Sequence, residues 1–89
     1  MRSLNKFTVN GDYVVSAVVL VNTNMAQQEK VLDRIRQVKG VEEAHALWGV
    51  YDLLVKITAN SIERLREIIK DNLKRLAGVA STLTLMIVE

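Results

Sequence analysis

Hydrophobic and polar positions alternate along this chain in two distinct rhythms. Residues 14–21, VVSAVVLV, are β-branched and apolar on both faces, which predicts a central strand covered on both sides. NTN at 22–24 follows, with Asn24 and Gln27 at capping-box spacing. Over residues 25–39, Val31, Leu32, Ile35 and Val38 recur at helical spacing, and Gly40 supplies the expected stop. Residues 41–48 alternate loosely and predict a second strand, and residues 53–58 a third. The link WGVYD at 48–52 contains a glycine and joins two strand-like runs, which is the pattern of a β-hairpin. Asn60 or Ser61 caps a second helix, whose apolar stripe is Ile62, Leu65, Ile69, Leu73 and Leu76. Gly78 ends it, and residues 79–88 form the last strand. Residues 1–13 are weakly patterned and are set apart as an N-terminal extension to the domain at 14–89. NGDY at 10–13 is a turn signal.

The resulting order is β-α-β-β-α-β. Its halves rhyme, since QVKGVEEAH and RLAGVASTL each pass from helix through Gly-Val into a strand. The expected architecture is α+β, the ferredoxin-like split β-α-β arrangement: a four-stranded antiparallel sheet in order 4-1-3-2 with two helices on one face. Val15, Ala17, Val19 and Val21 are then assigned to the helix side, together with Leu53, Val55, Leu85 and Ile87. Val14, Ser16, Val18, Leu20, Leu54, Met86 and Val88 are assigned to the opposite side, which the chain itself leaves uncovered. An apolar open face predicts sheet-to-sheet pairing in a dimeric sandwich.

Composition sharpens this picture. The 89 residues allow one small core, and 49% hydrophobic content is high for a domain whose surface is mostly wet. The absence of cysteine excludes disulfides and thiolate metal sites and makes a cytoplasmic setting the default. No apolar run reaches membrane-spanning length. Twelve basic residues are interleaved with ten acidic ones, for a net charge of +2, so no basic stripe marks a direct nucleic-acid surface.

Topology gathers Asn22, Thr23, Asn24, Gly49, Val50, Tyr51, Asp52, Ser81 and Thr82 at one end of the sheet, beside the N-terminus of the first helix. Backbone N–H groups suit a ligand carboxylate, and Asp52 suits an ammonium; an amino acid carries both. The competing reading is that Asp52 and Thr82 only satisfy turn hydrogen bonds. His45 and Glu43 project from one face of the second strand, but one histidine without cysteine is too few ligands for a metal site. Lys56 and Ser16 share that open face with His45, the arrangement of a small dimeric α+β-barrel enzyme, yet no nucleophile, base and orienting group fall into place by spacing, so no catalytic residue and no cofactor is assigned. Trp48 lies outside the central strands, where RNA-stacking aromatics are required. The charges of helix two, including Glu67 with Lys70 and Asp71 with Arg75, read as a solvated face.

The run WGVYDLLVKI, the helix start NSIERL and the run AGVASTLTLMIVE together resemble the ligand-binding domain of the Lrp/AsnC family of feast/famine regulators, also called the RAM domain. The Gly-x-Tyr-Asp turn and the strand start at Gly78, Val79, Thr82 and Thr84 carry the resemblance. It implies an amino-acid-sensing transcription-regulatory module that dimerises through its open sheet face and assembles into rings such as octamers. It implies an effector held near the hairpin turn, with Gly49, Tyr51, Asp52, Thr82 and Thr84 as ligand-binding residues. Family members carry an N-terminal helix-turn-helix, for which thirteen residues are too few. The chain therefore resembles a stand-alone member acting through full-length Lrp/AsnC partners. A pure assembly domain without ligand is the third expectation.

Overall fold

The computed structural model describes residues 6–9 and 12–88, with side chains from 14 to 88. Five strands and two helices follow one another as β1 (Lys6–Val9), β2 (Asp12–Thr23), α1 (Gln28–Ile35), β3 (Val41–Ala46), β4 (Leu53–Ala59), α2 (Ile62–Glu67) and β5 (Val79–Met86). All strand pairings are antiparallel. β2 pairs with β4 along one edge and, along the other, with β1 and then β5. The rows of the sheet therefore run β5-β2-β4-β3, the expected order, with β1 continuing the row of β5. Part of the weakly patterned start of the chain is thus a strand, and β2 begins at Asp12. Val9 pairs with Asp12; the two residues between them, half of the NGDY turn signal, lie outside the described residues. No helix of the described residues is long and apolar enough to cross a membrane.

The helix side of the sheet holds the core. Val15, Ala17, Val19 and Val21 of β2 and Leu53, Val55 and Ile57 of β4 are buried against Val31 and Ile35 of α1 and Leu65 of α2. Every second residue of both central strands points this way, as period-two geometry requires. β5 departs from the expected phase. Its register sets Thr82, Thr84 and Met86 opposite Val21, Val19 and Ala17, so these three face the helix side. Leu83 and Leu85 sit opposite Leu20 and Val18, on the open side, and Ile87, whose N–H donates to Ser16 O, lies with them. The assignment of Leu85 and Ile87 to the helix side, and of Met86 to the open side, is therefore corrected. β5 occupies a sheet edge, where the more apolar set of alternate positions does not mark the buried side. The open face gains two exposed leucines as a result.

The helices also differ in detail. α1 starts at Gln28 with Gln27 as its N-cap, not at residue 25 with Asn24 as the cap. The Asn24 carbonyl instead accepts from Gln27 N–H in a turn that places Ala26 at φ 64. α1 ends at Ile35, four residues short of the expected end, and turns lead to Gly40 at φ 101, a left-handed value that glycine adopts without cost. A Cβ there would lie 2.9 Å from Ile68 Cδ1. α2 is capped by Ser61, whose Oγ accepts from Arg64 N–H at 3.0 Å. It continues as a π-helical stretch, Ile68–Leu73, in which Lys74 N–H reaches back to Ile69 O. The widened turn brings Ile68, absent from the expected stripe, into the core beside Ile69 and Leu73. Glu67 pairs with Arg64 at 2.8 Å rather than with Lys70.

Candidate functional site

The β3–β4 connection is the hairpin expected from WGVYD. Leu47 N–H donates to Asp52 O at 2.8 Å and closes it. Asp52 then ties the hairpin to the neighbouring strand twice over. Its N–H donates to Val21 O at 2.9 Å. Its Oδ2 accepts from Thr23 N–H at 2.7 Å and from the Thr23 hydroxyl at 3.0 Å. The Gln28 side-chain amide, in the first turn of α1, donates to Asp52 O at 2.9 Å and Leu47 O at 3.3 Å. One aspartate thus joins β2, the hairpin and α1. The turn hydrogen bonding that a bland reading assigns to Asp52 is present, and it uses one carboxylate oxygen; Oδ1 accepts no hydrogen bond from the described residues.

Beside this knot lies a pocket of about 370 Å3 lined by Thr23, Asn24, Met25, Ala26, Gln28, Glu29 and Asp52. Two carboxylates, Asp52 and Glu29, face it. The Gln27 side chain makes no cap, so the first-turn amides of α1 lack the partner a capping side chain usually provides. Ala26, a non-glycine residue in the left-handed region, shapes the wall at a cost of about 1–2 kcal/mol. Met25, which lines the pocket, and Trp48 and Val50 of the hairpin are almost fully exposed.

The sequence-assigned residues distribute as follows. Asp52 lines the pocket, and Thr82 sits opposite Val21, one strand away from it. Tyr51 is half-buried in the hairpin. Gly49 has no atom of the described residues within 4 Å of the place a Cβ would take, and its φ is not positive, so nothing among the described residues demands a glycine there. Thr84 lies further along β5 and lines a different groove, against α2. Sequence reasoning misses Gln28 and Glu29. Their signal is present, because the first turn of the first helix is expected at this end of the sheet, but the expected start lies three residues too early.

On the open face, His45 is bonded to Glu43 at 2.8 Å, and Lys56 Nζ lies 3.5 Å from Glu42. The Ser16 hydroxyl is buried, with no hydrogen-bond partner among the described residues. Among the described residues no three His, Cys, Asp or Glu side chains gather as a metal ion would need.

Residues 16–89 match the family described as the Lrp/AsnC ligand binding domain. An uncharacterized HTH-type transcriptional regulator of Pyrococcus horikoshii is 30% identical over 93% of this chain and 61% of its own length. The chain therefore spans about three-fifths of that regulator. A crystal structure of a Thermus thermophilus protein superposes with a TM-score of 0.77 at 25% identity, covering 81% of this chain and 90% of the other. A transcriptional regulator of Neisseria meningitidis, solved as an L-Met complex, shares the fold with a TM-score of 0.75 at 18% identity, over 84% of this chain and 50% of the regulator. By its family match over 16–89 and its antiparallel sheet backed by two helices, the chain belongs to the Lrp/AsnC ligand-binding domain family.

Proposed function

We propose that this chain is an amino-acid-sensing module of the Lrp/AsnC type, which modulates transcription through full-length Lrp/AsnC regulators. The observation that carries this reading is the pocket in which the Asp52 and Glu29 carboxylates adjoin the uncapped amides opening α1. Opposite partial charges side by side suit a zwitterion. The carboxylates accept the ligand's ammonium, and the helix amides hold its carboxylate. Gly49 and Tyr51, in the same hairpin as Asp52, flank the ligand from outside the pocket lining. Thr82, with Thr84 further along the same strand, completes the site from a neighbouring subunit. The exposed Met25 of the pocket and Trp48 and Val50 of the hairpin support a contact between dimers at this end. The L-Met held by the Neisseria relative is of the same ligand class.

The dimer itself forms through the open face, where Val18, Leu20, Leu54, Leu83 and Leu85 are contiguous. Burying several hundred Å2 of such surface at about 25 cal/mol per Å2 offsets the entropy lost on association. Dimers then join through their hairpin ends into a ring such as an octamer.

A thermal-shift panel of the twenty amino acids tests the proposal. A ligand at 100 times its Kd adds about 2.7 kcal/mol to the apparent stability of the state that binds it. One amino acid or a small chemical subset is expected to raise Tm by several degrees. A panel in which none does so favours an assembly domain without ligand.

A further inference from the structure

At the end of the sheet away from the hairpin lies another pocket, of about 340 Å3. The start of β2, Lys39 and Gly40 ahead of β3, Asn60 just after β4, and Arg64 and Ile68 of α2 and its continuation line it. From Val15, opposite Ala59, to Val21, opposite Leu53, β2 advances about 20 Å. The pocket is thus well separated from the one beside Asp52, and the two share no lining residue. Gly40 keeps it open. A Cβ on Gly40 would lie 2.9 Å from Ile68 Cδ1 and 3.3 Å from Thr58 O, both within the lining. A side chain at this position would therefore grow into the space these residues bound.

The charge of the lining has one sign. Lys39 and Arg64 come from separate elements and meet only in the folded chain, and among the described residues no carboxylate lines the pocket with them. Lys39 forms no ion pair among the described residues. Arg64 donates through Nη1 to Glu67 at 2.8 Å. That pair is exposed on the helix surface and of a kind that contributes little, and the guanidinium has further N–H donors to offer. Asn60 adds a side-chain amide, and Ile68 with Val14 and Ala59 adds apolar surface. Two like charges facing one concave space repel each other, and an anion between them relieves the repulsion.

We propose that this pocket binds a small phosphomonoester, with its phosphate between Lys39 and Arg64 and its organic group against Val14, Ala59 and Ile68. A carboxylate neutralises one of the two cations. A phosphomonoester carries a charge of about −1.5 to −2 near neutral pH and neutralises both. Its oxygens match the guanidinium fork on one side and the ammonium on the other. A phosphate inside a nucleic-acid backbone carries a single charge and has chain on both flanks, so it lacks both the charge and the free end that a closed pocket of this size takes. A second copy of this chain can present only a carboxylate. The site is independent of the amino-acid pocket, so its test stands whatever the amino-acid panel shows.

The probe is phenyl phosphate, titrated into the intact chain by isothermal calorimetry at low salt. Benzoate and a single-stranded oligonucleotide without a terminal phosphate are the other arms. Phenyl phosphate is expected to bind at least fivefold more tightly than either, and more weakly as salt rises. Lys39→Gln and Arg64→Gln are each expected to weaken it at least fivefold. Lys30→Gln removes the same charge from an exposed position of α1 outside the pocket and is expected to leave the affinity unchanged. All three substitutions fall at exposed positions, and circular dichroism melts check that each variant is folded. Benzoate or the oligonucleotide binding as tightly as phenyl phosphate would overturn the proposal. So would an equal loss in Lys30→Gln, undiminished binding in either pocket variant, or no binding of phenyl phosphate up to millimolar concentration. Sedimentation showing that Lys39→Gln dissociates a wild-type oligomer would overturn it as well, because the pocket would then be a contact between copies.

Discussion

Replacing Asp52 separates the structural and ligand-binding parts of its role. In Asp52→Ala, Thr23 loses both the 2.7 Å acceptor of its N–H and the 3.0 Å acceptor of its hydroxyl. Hydrogen bonds to a charged group contribute about 1.5–3 kcal/mol each. The site is half-buried, so water partly replaces what is lost, and about 2–3 kcal/mol in total is the expected cost. In a domain of this size that lowers Tm by roughly 10–20 °C, at 4–8 °C per kcal/mol. Asp52→Asn retains an oxygen to accept from Thr23 and removes only the charge. It is expected to cost about 1 kcal/mol of stability, yet to weaken binding of the amino acid found in the panel about ten- to a hundred-fold. Denaturant melts at fixed protein concentration measure the first quantity, because oligomerisation makes apparent stability concentration-dependent. Calorimetry measures the second. A loss below about 0.5 kcal/mol in Asp52→Ala would refute the carboxylate's part in holding the hairpin to β2. An Asp52→Asn variant that binds as the wild type does would refute its contact with the ammonium.

Three further outcomes follow from the packing. Leu20→Asp places a charge between Leu54 and Leu83 on the open face, with no cation directly across from it, whereas Val18 stands opposite Lys56; sedimentation should report monomers, and an intact oligomer would argue against sheet pairing. Ile35→Ala, at a fully buried position of α1, should cost about 2–5 kcal/mol in denaturant melts, and a loss under about 0.5 kcal/mol would contradict its place in the core. Gly40→Ala combines a left-handed backbone with a contact at 2.9 Å to Ile68 and should cost about 1–3 kcal/mol, while Gly49→Ala, which meets no atom of the described residues, should leave monomer stability unchanged; equal effects of the two would contradict this contrast.

Much of this protein is legible in its residues, because the decisive signals are local. The β-branched run of β2, the stripe of α2, and glycines at 40 and 78 each report a backbone preference or a buried face that a short window contains. Their order alone selects the ferredoxin-like sheet, since crossover handedness leaves few arrangements. The hairpin is likewise readable from a glycine between two apolar runs. Other features depend on what each segment meets in space. β5 alternates between two semi-apolar sides, and only its register with β2 decides that Leu83 and Leu85 face outward while Thr84 and Met86 turn towards α2. The start of α1 moves to Gln28 because the Asn24 carbonyl is used by a turn, which no capping signature in the sequence excludes. Ile68 enters the core through a π-helical widening that helical periodicity does not contain. The joining of Thr23, Gln28 and Asp52, separated by up to 29 positions, is a tertiary fact: their hydrogen bonds exist only once the sheet brings the end of β2 beside the hairpin.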